Sequence, residues 1–362
     1  MDSFAFIIHP IDPKRDVARK YPFLGRVLPE SAIHFLSRFW PPVQLSHVTG
    51  IRSQATGKEI EGWLIAVPYT AQRMLQLPVK EVYRKIIAAG HLAERLGAQI
   101  LGLGAYTSVV GDGGETIARN LDIAVSSGDS YTAAVSVQAT QMAARKMGID
   151  LSSTKVAVVG ASGAIGAAVV RMLAPEVTQM SLIARDQERL VALAEEVKAA
   201  GCGVVETSTD VAAIRSAHVV VTVTSAGGDL VQPEMLRCGA VVCDVSRPRD
   251  VSLKVAHARD DVLVIDGGLV RVPGDVTFGF DYGLPPDLTY GCFAEIMALT
   301  LEGTFENYSI GKHLSLEKIQ RIDALAAKHG FELAALRSFE HKLDESLIQR
   351  VKARAVSDTY VS

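Results

Sequence analysis

Cys292 opens the apolar run YGCFAEIMALTLEG, and Lys155 to Gly166 read KVAVVGASGAIG, an apolar strand that enters a glycine turn and then a helix. A thiol in the first turn of a helix lies among unpaired amides at the positive end of the dipole. There a thiolate is stabilised and can attack an acyl thioester by exchange. The glycine turn suits a dinucleotide. Gly160 permits a tight exit from the strand, Gly163 lets backbone approach a pyrophosphate, and Gly166 lets the helix pack on the sheet, with Ala161, Ser162, Ala164 and Ile165 completing the turn and the first helical amides. The two features together fit a reductase that holds an acyl group on sulfur while a nicotinamide delivers hydride. Each has a plainer reading. The spacing is GxxGxxG rather than GxGxxG, strand-to-helix turns also use glycine for steric reasons, and packing is the commoner use of a cysteine at such a position.

These residues need a sheet to hold them. Lys155 to about Gly268 repeats strand, helix, strand, with strands apolar enough to be covered on both faces, the pattern of a Rossmann-type, doubly wound parallel sheet. Ligands gather at the carboxyl ends of such strands, which nominates Thr224 and Ser225 after one strand and Gly267 and Gly268 after another. At the end of the second strand, where an NAD site would place a carboxylate, the chain has Ala184 followed by Arg185. A guanidinium there suits a 2'-phosphate and predicts NADPH as cofactor.

The α/β class extends to the remainder. Residues 1–150 are expected to form an N-terminal α/β substrate domain, 151–290 the NADPH-binding domain, and 291–362 a C-terminal helical segment carrying Cys292. In the first region Phe4 to Ile8 reads as a strand, Val17 to Tyr21 and Ser31 to Phe39 as helices, and QLSHVTGIRS with EIEGWLIAVP as paired strands. Val79 to Leu96 carries Val82, Ile86, Ala89 and Ala93 at three- and four-residue steps, an amphipathic helix. Short strands at 98–104 and 121–126 follow, then a helix from Tyr131 to Met147. Near the end, helices are expected over 316–329 and 339–355.

Composition narrows the classes. With 48% hydrophobic and 21% charged residues among 362, the chain should fold around large cores, and its net charge of −3 carries no nucleic-acid footprint. The amino terminus does not read as a signal peptide, and no apolar stretch is long enough to cross a bilayer. Cys202, Cys238, Cys243 and Cys292 lack framework spacing and fit reduced thiols in a cytoplasm. A peripheral membrane contact stays open. No close Cys/His grouping suggests a metal.

VAVVGASGAIGAAVVR, ARDQERL and YGCFAEIMALTLEG resemble the corresponding stretches of the long-chain acyl-(acyl-carrier-protein) reductases of cyanobacterial alkane synthesis, and the similarity runs from ATGKEIEG, LGAYTSVV and SSGDSYTAA to about Gly330. The resemblance implies NADPH-dependent reduction of a fatty acyl thioester, carried by an acyl carrier protein or coenzyme A, to an aldehyde. It implies acylation of Cys292, whose CFAE motif matches; whether an aldehyde-processing enzyme associates as a further partner stays open. The chain departs from the family at GDSYTAA, where an Asn-Thr-His type of segment is expected, and in its longer tail. Oxyanion donors are sought among Tyr106, Thr107, Ser108 and Tyr131, or the amides beside Cys292. Apolar residues 32–40 and 63–67 are candidates for an acyl tunnel, and Lys14, Arg15, Arg19 and Lys20, or Arg247, Arg249 and Lys254, for docking an acidic carrier. Two rivals remain: a shikimate-dehydrogenase-like oxidoreductase without covalent catalysis, for whose hallmark Lys and Asp pair the first domain offers Lys80 and Lys85 but no convincing partner pattern, and a non-catalytic NADPH-binding sensor.

Overall fold

The computed structural model describes residues 1–10, 12–14, 18, 22–226 and 228–359. The chain divides into two compact units. The first comprises Met1–Tyr131, Arg271–His313 and Arg321–Glu332, the second Thr132–Val270, Leu314–Gln320 and Leu333–Ser362. The expected segment 291–362 therefore does not stand alone. Its cysteine-bearing helix (Gly291–Glu302) belongs to the first unit, because its nearly continuous apolar run needs a sheet face to cover it.

In the first unit β1 (Ser3–Ile8), β2 (Val43–Arg52), β3 (Glu59–Ala66), β4 (Ile100–Leu103) and β5 (Ala124–Ser126) form one sheet with Gly274–Thr277, ordered Gly274–Thr277, β2, β3, β1, β4, β5. β1 runs parallel to β3 and β4, and β4 parallel to β5, while β2 and β3, expected as paired strands, pair antiparallel. The two faces of β1 go to different partners. Ala5 and Ile7 join Val82, Ile86, Ala89 and Ala93 of α1 (Val79–Arg95) in one core. On the other face Phe6 stacks on Phe293 of the cysteine helix at 4.2 Å between centroids, and Phe4 meets the same ring edge-on at 5.7 Å. This sandwich fixes the helix that carries Cys292. The helix α2 spans Asp129–Met147, and the division between units falls within it, after Tyr131.

The second unit holds β6 (Lys155–Val159), β7 (Gln179–Ile183), β8 (Val204–Ser208), β9 (Val219–Thr222), β10 (Val241–Asp244) and β11 (Leu263–Asp266), ordered β11, β10, β9, β6, β7, β8 and parallel throughout. This is the doubly wound, Rossmann-type sheet expected from the sequence. The strand order reverses direction beside β6, and α3 (Ala164–Leu173) starts directly after it; α4 (Gln187–Ala199) follows β7.

Some elements differ from expectation. Of residues 32–40, offered as a tunnel lining, Phe35 and Phe39 are 61% and 70% exposed. The helix expected over 339–355 begins only at Glu345, because Arg337–Ser338 and His341–Lys342 form a hairpin whose turn places Phe339 and Glu340 at positive φ. The helix expected over 17–21 falls largely outside the described residues, as do Arg15, Arg19 and Lys20. Among the described residues no helix is long and apolar enough to cross a membrane.

Candidate functional site

In the first unit Cys292 occupies the second position of its helix, as predicted, but its electrostatics are the reverse of the helix-dipole expectation. Burial, then the charges of Asp129 and Glu295, push the thiol pKa up to about 12, while the backbone amides of Phe293 and Ala105 work against that rise. The residue keeps part of its surface exposed, yet its sulfur is desolvated. At neutral pH it is therefore a thiol, not a thiolate.

The acidic neighbours come from two places. Glu295 sits one helical turn beyond Cys292, on the same face. It is fully buried, and both carboxylate oxygens are held: the Ser126 hydroxyl donates to Oε1 at 2.5 Å and the Tyr131 amide to Oε2 at 2.8 Å. Asp129 opens α2 just after β5. Burial foremost, then the Glu295 charge, raise its pKa to about 7 despite a hydrogen bond with Ser127. Hydroxyls complete the surroundings. Ser127 donates to the Ser309 carbonyl, and Ser309 donates to Ser130 at 2.6 Å. Between these residues Gly128 lies flush against Cys292.

The loop after β4 approaches the same sulfur. Ala105 adopts φ +47°, and its amide hydrogen-bonds Cys292. This strained backbone is a means of aiming an N–H into the site. The hydroxyls once considered as oxyanion donors are largely committed elsewhere: Thr107 donates to the Gly104 carbonyl and Ser108 to the Ala105 carbonyl, each at 2.8 Å, and Tyr106 is buried. Burial, with Asp323 second, raises the Tyr131 phenol pKa. Asp129, Glu295 and Ala105 were not singled out from the sequence. Glu295 was detectable as a charge inside an apolar run at i+3 from the cysteine.

In the second unit the glycine turn has the stereochemistry a dinucleotide needs. Gly160 has φ +88°, and a Cβ there would meet the Val223 carbonyl oxygen at 2.2 Å; a Cβ on Gly166 would meet the Gly160 oxygen at 2.1 Å. Gly163 differs. It is exposed, a Cβ there would approach only the Gly160 oxygen at 3.2 Å, and it caps α3 without a side-chain hydrogen bond. Space and helix amides at Ala164, Ile165 and Gly166 thus coincide, which fits a pyrophosphate. Ala161 is buried beneath the turn and Ser162 half-buried within it.

After β7, Ala184 is half-buried and Arg185 exposed. Asp186 turns its carboxylate to cap α4, accepting from the Arg189 amide at 3.1 Å. Thr224 donates its hydroxyl to Asp250 at 2.6 Å, so it braces the strand ends; Ser225 is half-buried beside it. Gly267 is required by Val245 and Cys243, which a Cβ would meet at 2.8 and 2.9 Å, and Gly268 has φ +76°. The proposed docking arginines are not a solvated patch. Arg249 and Arg247 are mostly buried around Asp266, whose pKa burial tends to raise but which the Arg249 hydrogen bond and both arginine charges bring down overall.

Lys85, the rival mechanism's lysine, donates to the carbonyls of Arg38 and Trp40 at 2.8 and 2.7 Å, an anchoring role. An open groove of about 490 Å³ is lined by Glu30, Ser31, His34, Phe35, Gln72, Arg73 and Gln76, none of them in the Cys292 cluster.

Similarity to known proteins agrees with this division. The chain is 31% identical over 323 residues to the long-chain acyl-[acyl-carrier-protein] reductase of Synechococcus elongatus, across 82% of this chain and 90% of that one. It is 30% identical over 374 residues to the aminotransferase PigE of a Serratia species, covering 99% of this chain but spanning only 43% of the relative's length. The shikimate/quinate 5-dehydrogenase family pattern matches residues 141–266, within the second unit. Among solved structures, L-tryptophan dehydrogenase from Nostoc punctiforme aligns over 100% of this chain and 90% of its own, with 13% identity and a TM-score of 0.41.

Proposed function

The chain belongs to the long-chain acyl-[acyl-carrier-protein] reductase family, and from that premise we propose that it reduces a long-chain fatty acyl thioester to the aldehyde with NADPH, through an acyl-enzyme on Cys292. The observation that carries the reading is the sulfur's setting: a cysteine in the first turn of a buried helix, with the amides of Phe293 and Ala105 facing it and water largely excluded. Such amides favour negative charge, first on sulfur and then on oxygen of an adduct at the same place. Desolvation protects a thioester from hydrolysis.

Cys292 sulfur attacks the acyl carbon and displaces the carrier thiol, whether that carrier is acyl carrier protein or coenzyme A. A reduced nicotinamide, when bound, supplies the hydride that converts the enzyme thioester to aldehyde and frees the sulfur. Gly163 and the amides of Ala164 to Gly166 would hold its pyrophosphate. Arg185 would pair with a 2'-phosphate, while the Asp186 carboxylate is committed to capping α4. These features support NADPH over NADH. An aldehyde-processing enzyme as partner and a cytoplasmic setting follow from the same reading.

The test is direct. Incubated with a long-chain acyl-coenzyme A without nucleotide, the protein should acquire the acyl mass on the peptide containing Cys292, and adding NADPH should release it as aldehyde. Absence of the adduct, or its appearance on another residue, overturns the proposal.

A further inference from the structure

Resting on that reading, we propose that Asp129 accepts the Cys292 proton during acylation and returns it to the departing carrier sulfur. The thiol cannot ionise by itself at neutral pH, since burial and two carboxylates oppose it. A nucleophile in that state needs an adjacent base.

The charges of two carboxyls, Asp129 and Glu295, bear on the sulfur. Glu295 is unsuited: it is fully buried and its two oxygens already accept from Ser126 and Tyr131, so it serves as a fixed charge. Asp129 differs on three counts. It follows Gly128, whose backbone abuts the Cα, carbonyl and Cβ of Cys292, so the α2 start is positioned beside the thiol. The residue as a whole is only partly buried, unlike Glu295. Its affinity for a proton also lies near neutrality, where proton transfer in either direction is efficient. The titratable groups facing it are Cys292 and Glu295, both on the cysteine helix; its own loop and the segment after that helix contribute the hydroxyls of Ser127, Ser130 and Ser309.

The step balances. As the bond between Sγ and the acyl carbon forms, the thiol proton passes to the Asp129 carboxylate. As the bond between that carbon and the carrier sulfur breaks, the proton passes to the leaving thiolate. The carboxylate is restored, and nothing is oxidised or reduced.

The experiment follows acylation of Cys292 by a long-chain acyl-coenzyme A, without nucleotide, by mass spectrometry between pH 5.5 and 9. The wild-type rate should rise with pH through a midpoint near 7. Asp129→Asn should acylate roughly 10²- to 10⁴-fold more slowly at pH 8 and lose that limb, and Asp129→Glu should recover part of the rate. Glu295→Gln removes a charge that raises the Asp129 pKa, so it should move the midpoint to lower pH. A merely repulsive Asp129 predicts the opposite sign. Removing its charge would then lower the thiol pKa and speed acylation, and an Asp129→Asn variant as fast as wild type, or faster, overturns the proposal. An unmoved midpoint in Glu295→Gln does the same. Wild-type protein that forms no adduct defeats the functional reading and this inference with it, whereas an adduct formed equally by Asp129→Asn defeats this inference alone.

Discussion

Gly128 and Cys292 touch backbone to backbone. A Cβ at position 128 would lie 2.3 Å from the Cys292 Cα and carbonyl oxygen, and Gly128 also holds φ +76°. Neither neighbour is the flexible end of a side chain, so neither can yield without moving β5 or the cysteine helix. Gly128→Ala should therefore cost about 2–4 kcal/mol of stability through overpacking and backbone strain. Urea unfolding measures that loss. In the fraction that stays folded, acylation of Cys292 should drop as well, because the start of α2 is pushed off the thiol.

Cys292 lay in plain view in the sequence, but the residues that govern it did not. The β6, β9 and β10 strands are legible because continuous apolar runs such as Val219–Thr222 suit a sheet covered on both faces. α1 is legible because Val82, Ile86, Ala89 and Ala93 keep helical period. The pairing of Gly274–Thr277 with β2 is not, since nothing local to either segment specifies a partner so distant in the chain. The thiol's pKa fails for the same reason. Its local signal, a helix start, lowers it, whereas the burial of the sulfur and the Asp129 carboxyl arriving from α2 are properties of the folded unit. An Asp beside Ser at a helix start is a pattern that capping alone would account for, so nothing local to it points to a sulfur.

Replacing Cys292 separates the covalent mechanism from both rivals. Cys292→Ala should lose turnover by roughly 10³-fold or more and form no acyl adduct. NADPH affinity, measured by fluorescence titration, should stay within about twofold, because the glycine turn is built on β6 and α3 in the other unit. Retained turnover would favour chemistry without an acyl-enzyme.

On the proposed reading Arg185 sets the preference between cofactors. Removing a charge-assisted contact to a phosphate costs about 1.5–3 kcal/mol. Arg185→Asp should thus weaken NADPH about 10- to 100-fold while NADH changes little. Equal weakening of both nucleotides would instead mean that α4 or its Asp186 cap was disturbed, with no selective contact at Arg185.

The Asp129 carboxyl should also leave a mark on stability, with a definite sign. Its pKa rises from 3.8 to about 7 on folding, so between those values the native state binds more protons than the unfolded state. Stability then falls as pH rises through that window and levels off above about 7. Asp129→Asn removes the penalty and keeps a residue type favoured at helix starts. The variant should match wild type below about pH 4 and exceed it above pH 7 by about 1–3 kcal/mol, since the partial exposure of Asp129 discounts the full linkage value. Chemical denaturation at pH 5 and pH 8 provides the comparison. If the same variant is more stable and yet slower to acylate, the carboxyl is retained at a cost to the fold because the sulfur requires it, and equal stability at both pH values would place Asp129 in water, outside the Cys292 cluster.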